Sequence, residues 1–143
     1  MKPEDHIGYL NGLTLMASAV SVRCGPSEMR ADCFSPKSFP ALFCASYRIP
    51  KKLLQLRESE QSLEQLLEDR LGTEPKHVTE SLCYFLHRRF GDCVRCFEIE
   101  NAGKLLDALS ASDGGRGPFY TMDDLFFAEF RGVAVCFMLG NYE

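Results

Sequence analysis

The sequence predicts an α+β fold, a helix-rich N-terminal part packed on a small, mainly antiparallel sheet that ends in a C-terminal β-hairpin. Three observations carry this. Leu125 to Glu143 read as two strands rich in aromatic and β-branched residues, folded about Arg131-Gly132. Roughly the first ninety residues are dominated by apolar positions three and four apart, the period of an amphipathic helix. The order then runs strand, helix, strand, strand, and helices segregated from an antiparallel sheet define the class.

In chain order, Pro3 followed by Ile7, Leu10, Leu13, Ala17 and Val20 predicts a helix ending before Cys24-Gly25-Pro26. Gly8 and Gly12 would let another backbone approach it closely. Glu28 to Phe34 lies between Gly-Pro and Ser-Pro punctuation and reads as a strand. Ser35-Pro36 opens a helix carrying Phe39, Leu42, Phe43 and Tyr47, which ends at Ile49-Pro50. A second helical stretch is expected after Pro50, with Leu53, Leu56, Leu63, Leu66, Leu67 and Leu71, either continuous or restarting at Ser59, and Gly72 as its C-terminal cap. Thr73 is the expected cap of the next helix, with Pro75 in its first turn and Val78, Leu82, Phe85 and Leu86 as its stripe before Gly91. Cys93 to Glu98 alternates as a strand, Asn101 to Ser110 reads as a short helix, and Ser112 to Pro118 is expected to be a flexible loop.

With 143 residues, 45% hydrophobic and 25% charged, the chain suits a single α+β domain over residues 1–143 with a sizeable core, which argues against wholesale disorder. A net charge of -4 gives no global attraction for nucleic acid or an anionic membrane. No apolar run approaches the ~20 residues a bilayer span needs, and Met1 to Gly8 lacks the features of a signal peptide. A cytoplasmic location is therefore expected. The seven cysteines are odd in number and lack an export signal, so reduced thiols are expected rather than a disulfide framework. Cys44 and Cys136, set among Phe43, Ala45, Val135 and Phe137, read as small buried hydrophobes.

Two constellations have chemical content. Cys83, His87, Cys93 and Cys96 form a Cys-x3-His-x5-Cys-x2-Cys array of zinc-ligand types at a helix-to-strand junction. In a regular strand, residues three apart point to opposite faces, so Cys93 and Cys96 could share a metal only where the chain bends. Cys93-Val-Arg-Cys96 also has the spacing of a redox pair, but a thioredoxin-like motif opens a helix after a strand, and this one sits inside a strand. The plainer reading fills core space with the cysteines and leaves His87 solvated.

The second constellation is a helix-turn-helix pattern over residues 63–90, in which Leu67, Leu71, Gly72, Val78 and Leu82 supply core and turn. Lys76, His87, Arg88 and Arg89 would face DNA. Against it, Ser81 stands where an apolar residue belongs, and Glu58, Glu60, Glu64, Glu68 and Asp69 would repel phosphates. The plain alternative is an antiparallel helix pair in a core.

Asp123-Asp124 are poor partners for paired acid-base work, and Thr121 with Asp124 reads as a capping turn. His6, His77 and His87 belong to no recognised nucleophile motif, so no catalytic residue is assigned. Gly114-Gly-Arg-Gly117 lacks the rest of a P-loop and reads as a mobile loop rather than a phosphate cradle. The hairpin is apolar on both faces, which implies cover by helices or by a second subunit.

The expected function is a non-catalytic protein-binding or self-associating module, a homodimer or the receptor of an unknown protein partner, with the sheet as contact surface and no membrane or nucleic acid involved. The alternative is the helix-turn-helix regulator, and the third reading is an enzyme with a cysteine-containing pocket. No cofactor is assigned, zinc being the one metal that the sequence brings into question.

Overall fold

The computed structural model describes residues 2–75 and 77–143. In chain order the elements are α1 (Ile7–Val20), β1 (Glu28–Phe34), α2 (Phe39–Tyr47), β2 (Leu56–Glu58), α3 (Leu63–Leu71), α4 (Val78–Phe90), β3 (Cys93–Ile99), α5 (Ala102–Leu109), β4 (Thr121–Phe130) and β5 (Ala134–Asn141). The strands make one antiparallel sheet in the order β1-β5-β4-β3-β2. The α+β expectation and the terminal hairpin hold. Phe130 and Val133 close the turn around Arg131-Gly132 with a 2.8 Å backbone hydrogen bond, and Phe126 stacks on its cross-strand partner Phe137 at 5.0 Å.

Because side chains alternate along a strand, the hairpin supplies both cores. Phe126, Ala128, Phe130, Val133, Val135 and Phe137 face α1, α3 and α4, which contribute Leu10, Leu66, Leu67, Leu71, Leu82 and Leu86. Leu125, Phe127, Ala134, Cys136 and Met138 face α2 and α5, with Phe39, Phe43, Leu105 and Leu109. Phe127, fully buried, lies 5.2 Å from both Phe39 and Phe43 by ring centroid. The chain's own helices thus cover both apolar faces of the sheet.

The edges are closed by different means. On the outer side of β1, the backbone N–H of Met29 donates to Ser18 Oγ (3.0 Å), that of Ala31 to Asn11 Oδ1 (3.1 Å), and that of Cys33 to the carboxylate of Asp32 (2.8 Å). Asn11 Nδ2 returns a bond to the Ala31 carbonyl at 3.0 Å. Asn11 and Ser18 are seven residues apart, two helical turns, so they lie on one face of α1 and meet alternate residues of the strand. These bonds occupy groups that would otherwise template another strand. At the far edge, β2 is only three residues long and carries Arg57 and Glu58, the brevity and charge that discourage edge pairing.

The sequence reading fails between Pro50 and Ser62. The expected helix is replaced by a single 3-10 turn, Lys51–Leu53, followed by β2, whose Leu56 and Glu58 pair with Ile99 and Phe97 of β3. Helix α3 begins after Ser62 rather than Ser59, because Ser62 Oγ accepts from Gln65 N while the Gln65 side chain accepts from Ser62 N, a reciprocal capping box. Thr73 is not the cap of α4. That helix begins at Val78, after His77 in a left-handed conformation. Thr121 and Asp124 lie within β4 rather than in a capping turn. Among the described residues, no helix is long and apolar enough to cross a membrane.

Candidate functional site

Cys83, His87, Cys93 and Cys96 do line one cleft, of about 630 Å³, between the C-terminal half of α4, the start of β3 and the β2–α3 connection. The bend that the strand needed is present. Cys93 is opposite Phe130, whereas Arg95 is opposite the next residue back, Glu129, so Val94 is an extra residue bulged out of the ladder and half exposed. One inserted residue reverses the side-chain parity. Cys93 and Cys96 consequently share a face, opposite Phe130 and Ala128, with their sulfurs 3.6 Å apart.

The two thiols are unequal. Cys96 is buried, and its hydrogen bond to Cys93, followed by burial, pushes its pKa up. Cys93 is partly exposed, and the same hydrogen bond, now favouring its thiolate, moves its pKa down against the opposing effect of burial. Cys83 is pushed up to about 12 by burial and by the nearby Glu64. Charge around the cleft is predominantly negative. Glu58, Glu60 and Glu64 line it, and Arg95 is already paired with Glu58 (3.7 Å) and Glu129 (3.3 Å).

The other two zinc candidates do not join the sulfur pair. His87 Nδ1 is 2.8 Å from Asp92 Oδ1 at the cleft rim. Among the described residues, no group of three or more His, Cys, Asp or Glu side chains converges so as to hold a metal ion.

Helices α3 and α4 pack as the adjacent pair that the helix-turn-helix pattern predicts. The basic cluster, however, lies at the C-terminal end of α4, where positive charge complements the helix dipole, whereas a recognition helix reads base edges near its N-terminus. Arg89 donates from Nε to His6 Nδ1 at 3.2 Å and stacks 4.4 Å over Tyr9, tying α4 to the start of α1. His87 shares its cleft with three glutamates, and Lys76 lies outside the described residues. The Gly114–Gly117 run is not an open anion cradle. Gly115 N donates to Ser110 O and Gly117 N to Leu109 O, and a Cβ on Gly115 would clash with Ala108 O, so the run packs tightly over the end of α5.

A second feature escaped the sequence reading. Between α1 and α4 runs an apolar groove of about 340 Å³, formed by Leu13, Met16 and Val20 facing Val78, Leu82 and Phe85. No Asp, Glu, Lys or Arg among the described residues lines it. Met16 is 69% exposed and Phe85 42%. With Val20 they are three of the nine large apolar or aromatic side chains left exposed among the described residues, and all three border the groove. The available sequence signal was the absence of any charged residue from Ile7 to Val20.

No family model, curated protein sequence or solved structure matches the chain.

Proposed function

We propose that the chain is a non-catalytic, self-associating module, and that its contact surface is the α1/α4 groove rather than the sheet. The observation that carries this reading is the uncharged, apolar outer surface of α1. Its inward positions mix Leu10 and Ala17 with Asn11, Thr14 and Ser18, whereas the large side chains on its outer surface are Met16 and Val20, with no charge among them. The sheet faces are filled and its edges are blunted, which leaves the helical groove as the apolar surface open to a partner.

The occupant is a second copy of this chain. Each copy carries a net charge of -4, so two copies meet most readily through a patch free of carboxylates, and the described lining of the groove has none, His77 being its one titratable side chain. The patch also holds both halves of a fit, since Met16 and Phe85 protrude beside the depression they help to line. A two-fold axis would place the knobs of one copy in the groove of the other. Gly8 and Gly12 lie on the same helix, and a Cβ built on either meets nothing within 4 Å, so the surface there is open to close approach. The reading keeps the chain in the cytoplasm, where its cysteines, all free, persist as thiols.

Sedimentation equilibrium over micromolar to submillimolar protein tests it. The expected result is a dimer that salt does not weaken, because apolar burial rather than ion pairing holds it. Met16→Glu should shift it to monomer with an unchanged far-ultraviolet spectrum. A monomer throughout the range, or a dimer indifferent to Met16→Glu and Phe85→Glu, overturns the proposal.

A further inference from the structure

We propose that Cys93 and Cys96 form a redox-active dithiol that undergoes exchange with small, cationic disulfides entering the acidic cleft. The Val94 bulge is the structural basis. It turns both thiols to one side of β3 with their sulfurs in contact, one at the cleft surface and the other behind it. A disulfide needs about 2.05 Å between sulfurs, so the present 3.6 Å must close by about 1.5 Å.

The roles follow from access and charge. Cys93 is the attacking group, being the more exposed thiol and the one whose anion accepts a hydrogen bond from Cys96. Cys93 loses its proton to water, and its thiolate attacks one sulfur of the external disulfide. The Cys93–sulfur bond forms, the external sulfur–sulfur bond breaks, and one thiolate leaves and takes a proton from water. Cys96 then loses its proton to water and attacks Cys93 Sγ, forming the Cys93–Cys96 bond and expelling the second external thiolate, which takes a proton from water in turn. Two protein thiols are oxidised and one external disulfide is reduced to two thiols. Cys83 lines the same cleft but remains a thiol, because burial and Glu64 oppose its ionisation.

The cleft sets the class of partner. Glu58, Glu60 and Glu64 face it, and its arginine is already neutralised by two carboxylates, so a cationic disulfide is concentrated there and an anionic one repelled.

The experiment compares cystamine, a dication, with oxidised glutathione, an anion, each rate being normalised to that of the chain unfolded in denaturant. Intact mass and peptide mapping should find a product two hydrogens lighter, with the bond between Cys93 and Cys96. The normalised cystamine rate should exceed that of oxidised glutathione roughly tenfold or more at low ionic strength, and the gap should narrow with salt. Cys96→Ser should stop the reaction at a mixed disulfide on Cys93. Mapping the bond in the unmodified chain keeps the test decisive should that variant fail to fold. A stable mixed disulfide in the wild type, a bond elsewhere or no reaction overturns the dithiol, and equal normalised rates overturn the assigned partner class.

Discussion

Replacing Asn11 by alanine removes three hydrogen bonds made by one amide group, and the structure allows their loss to be weighed. The bond from Nδ2 to the Ile7 carbonyl, 3.1 Å, goes to an oxygen four residues back that also accepts within the helix, so little is lost there. The other two engage the Ala31 N–H at 3.1 Å and the Ala31 carbonyl at 3.0 Å, on a residue that is 3% exposed. Leaving a buried backbone group unpaired costs about 1–3 kcal/mol, so two give roughly 2–6 kcal/mol as an upper range. Asn11 is itself only half-buried, so water reaches the vacated space, and alanine gains roughly 0.5 kcal/mol in helix propensity. The expected net cost is about 2 kcal/mol. Urea denaturation should report it as a lower midpoint at unchanged slope, and the Ala31 amide should lose exchange protection relative to Arg30, whose backbone faces β5. Asn11→Asp separates hydrogen bonding from volume, since it keeps an acceptor for the Ala31 N–H but sets an anion against the Ala31 carbonyl, and it should cost at least as much. A loss below about 0.5 kcal/mol with Ala31 protection intact would refute the argument that α1 seals this edge.

Two further outcomes follow from packing and burial. Gly140→Ala would place a Cβ 2.5 Å from the Thr121 carbonyl oxygen and 2.6 Å from the Phe119 ring, and because the first contact is backbone of β4 the change should destabilise by about 1–3 kcal/mol in the same denaturation assay. Cys33 and Cys83 are each held by burial at about 12 against an ordinary 9.0, so the unfolded chain releases these protons first. Stability from them is complete below about pH 9 and is lost as pH rises toward 12, so the urea midpoint should fall across that window and fall less steeply in Cys33→Ala.

What the sequence made legible was local and periodic. The stripes of α3 and α4 and the apolar runs of the terminal hairpin lie within a few residues and require no knowledge of the partner. Strand β2 could not be read in this way. Its Leu56-Arg57-Glu58 is too short to alternate, neighbouring leucines fall at helical spacing, and its partners Phe97 and Ile99 are some forty residues away. The dithiol was obscured by parity, because one bulged residue, Val94, reverses the facing that an unbroken strand would impose. Nor did Asp123-Asp124 disclose their roles. Asp124 forms an ion pair with Arg70 of α3 at 2.8 Å, and Asp123 accepts from Ser27 at 3.1 Å, both across long stretches of chain. The glycine run resembled a mobile loop for the same reason, since the carbonyls that occupy its amides became visible only when α5 was in place.

The strongest non-local signal lay in a helix whose pattern was read correctly as helical and only partly for what it faces. A helix laid along a sheet edge has reason to be polar inside, where Asn11 and Ser18 meet β1, and that accounts for half of the α1 pattern. It gives no reason for the other half. An outward face exposed to water ordinarily carries charge, as α3 does with Glu64, Glu68 and Asp69, yet α1 has none in fourteen residues. Helix α2 is also uncharged, but its exposed positions are Ala41, Leu42, Ala45 and Ser46, only one of them large and apolar. On α1 the outward Met16 and Val20 instead border a groove completed by Val78, Leu82 and Phe85 of another helix, so apolar surface from two separate segments is brought together by the fold itself. Edge sealing explains neither the missing charge nor that convergence, whereas burial against a second copy requires both.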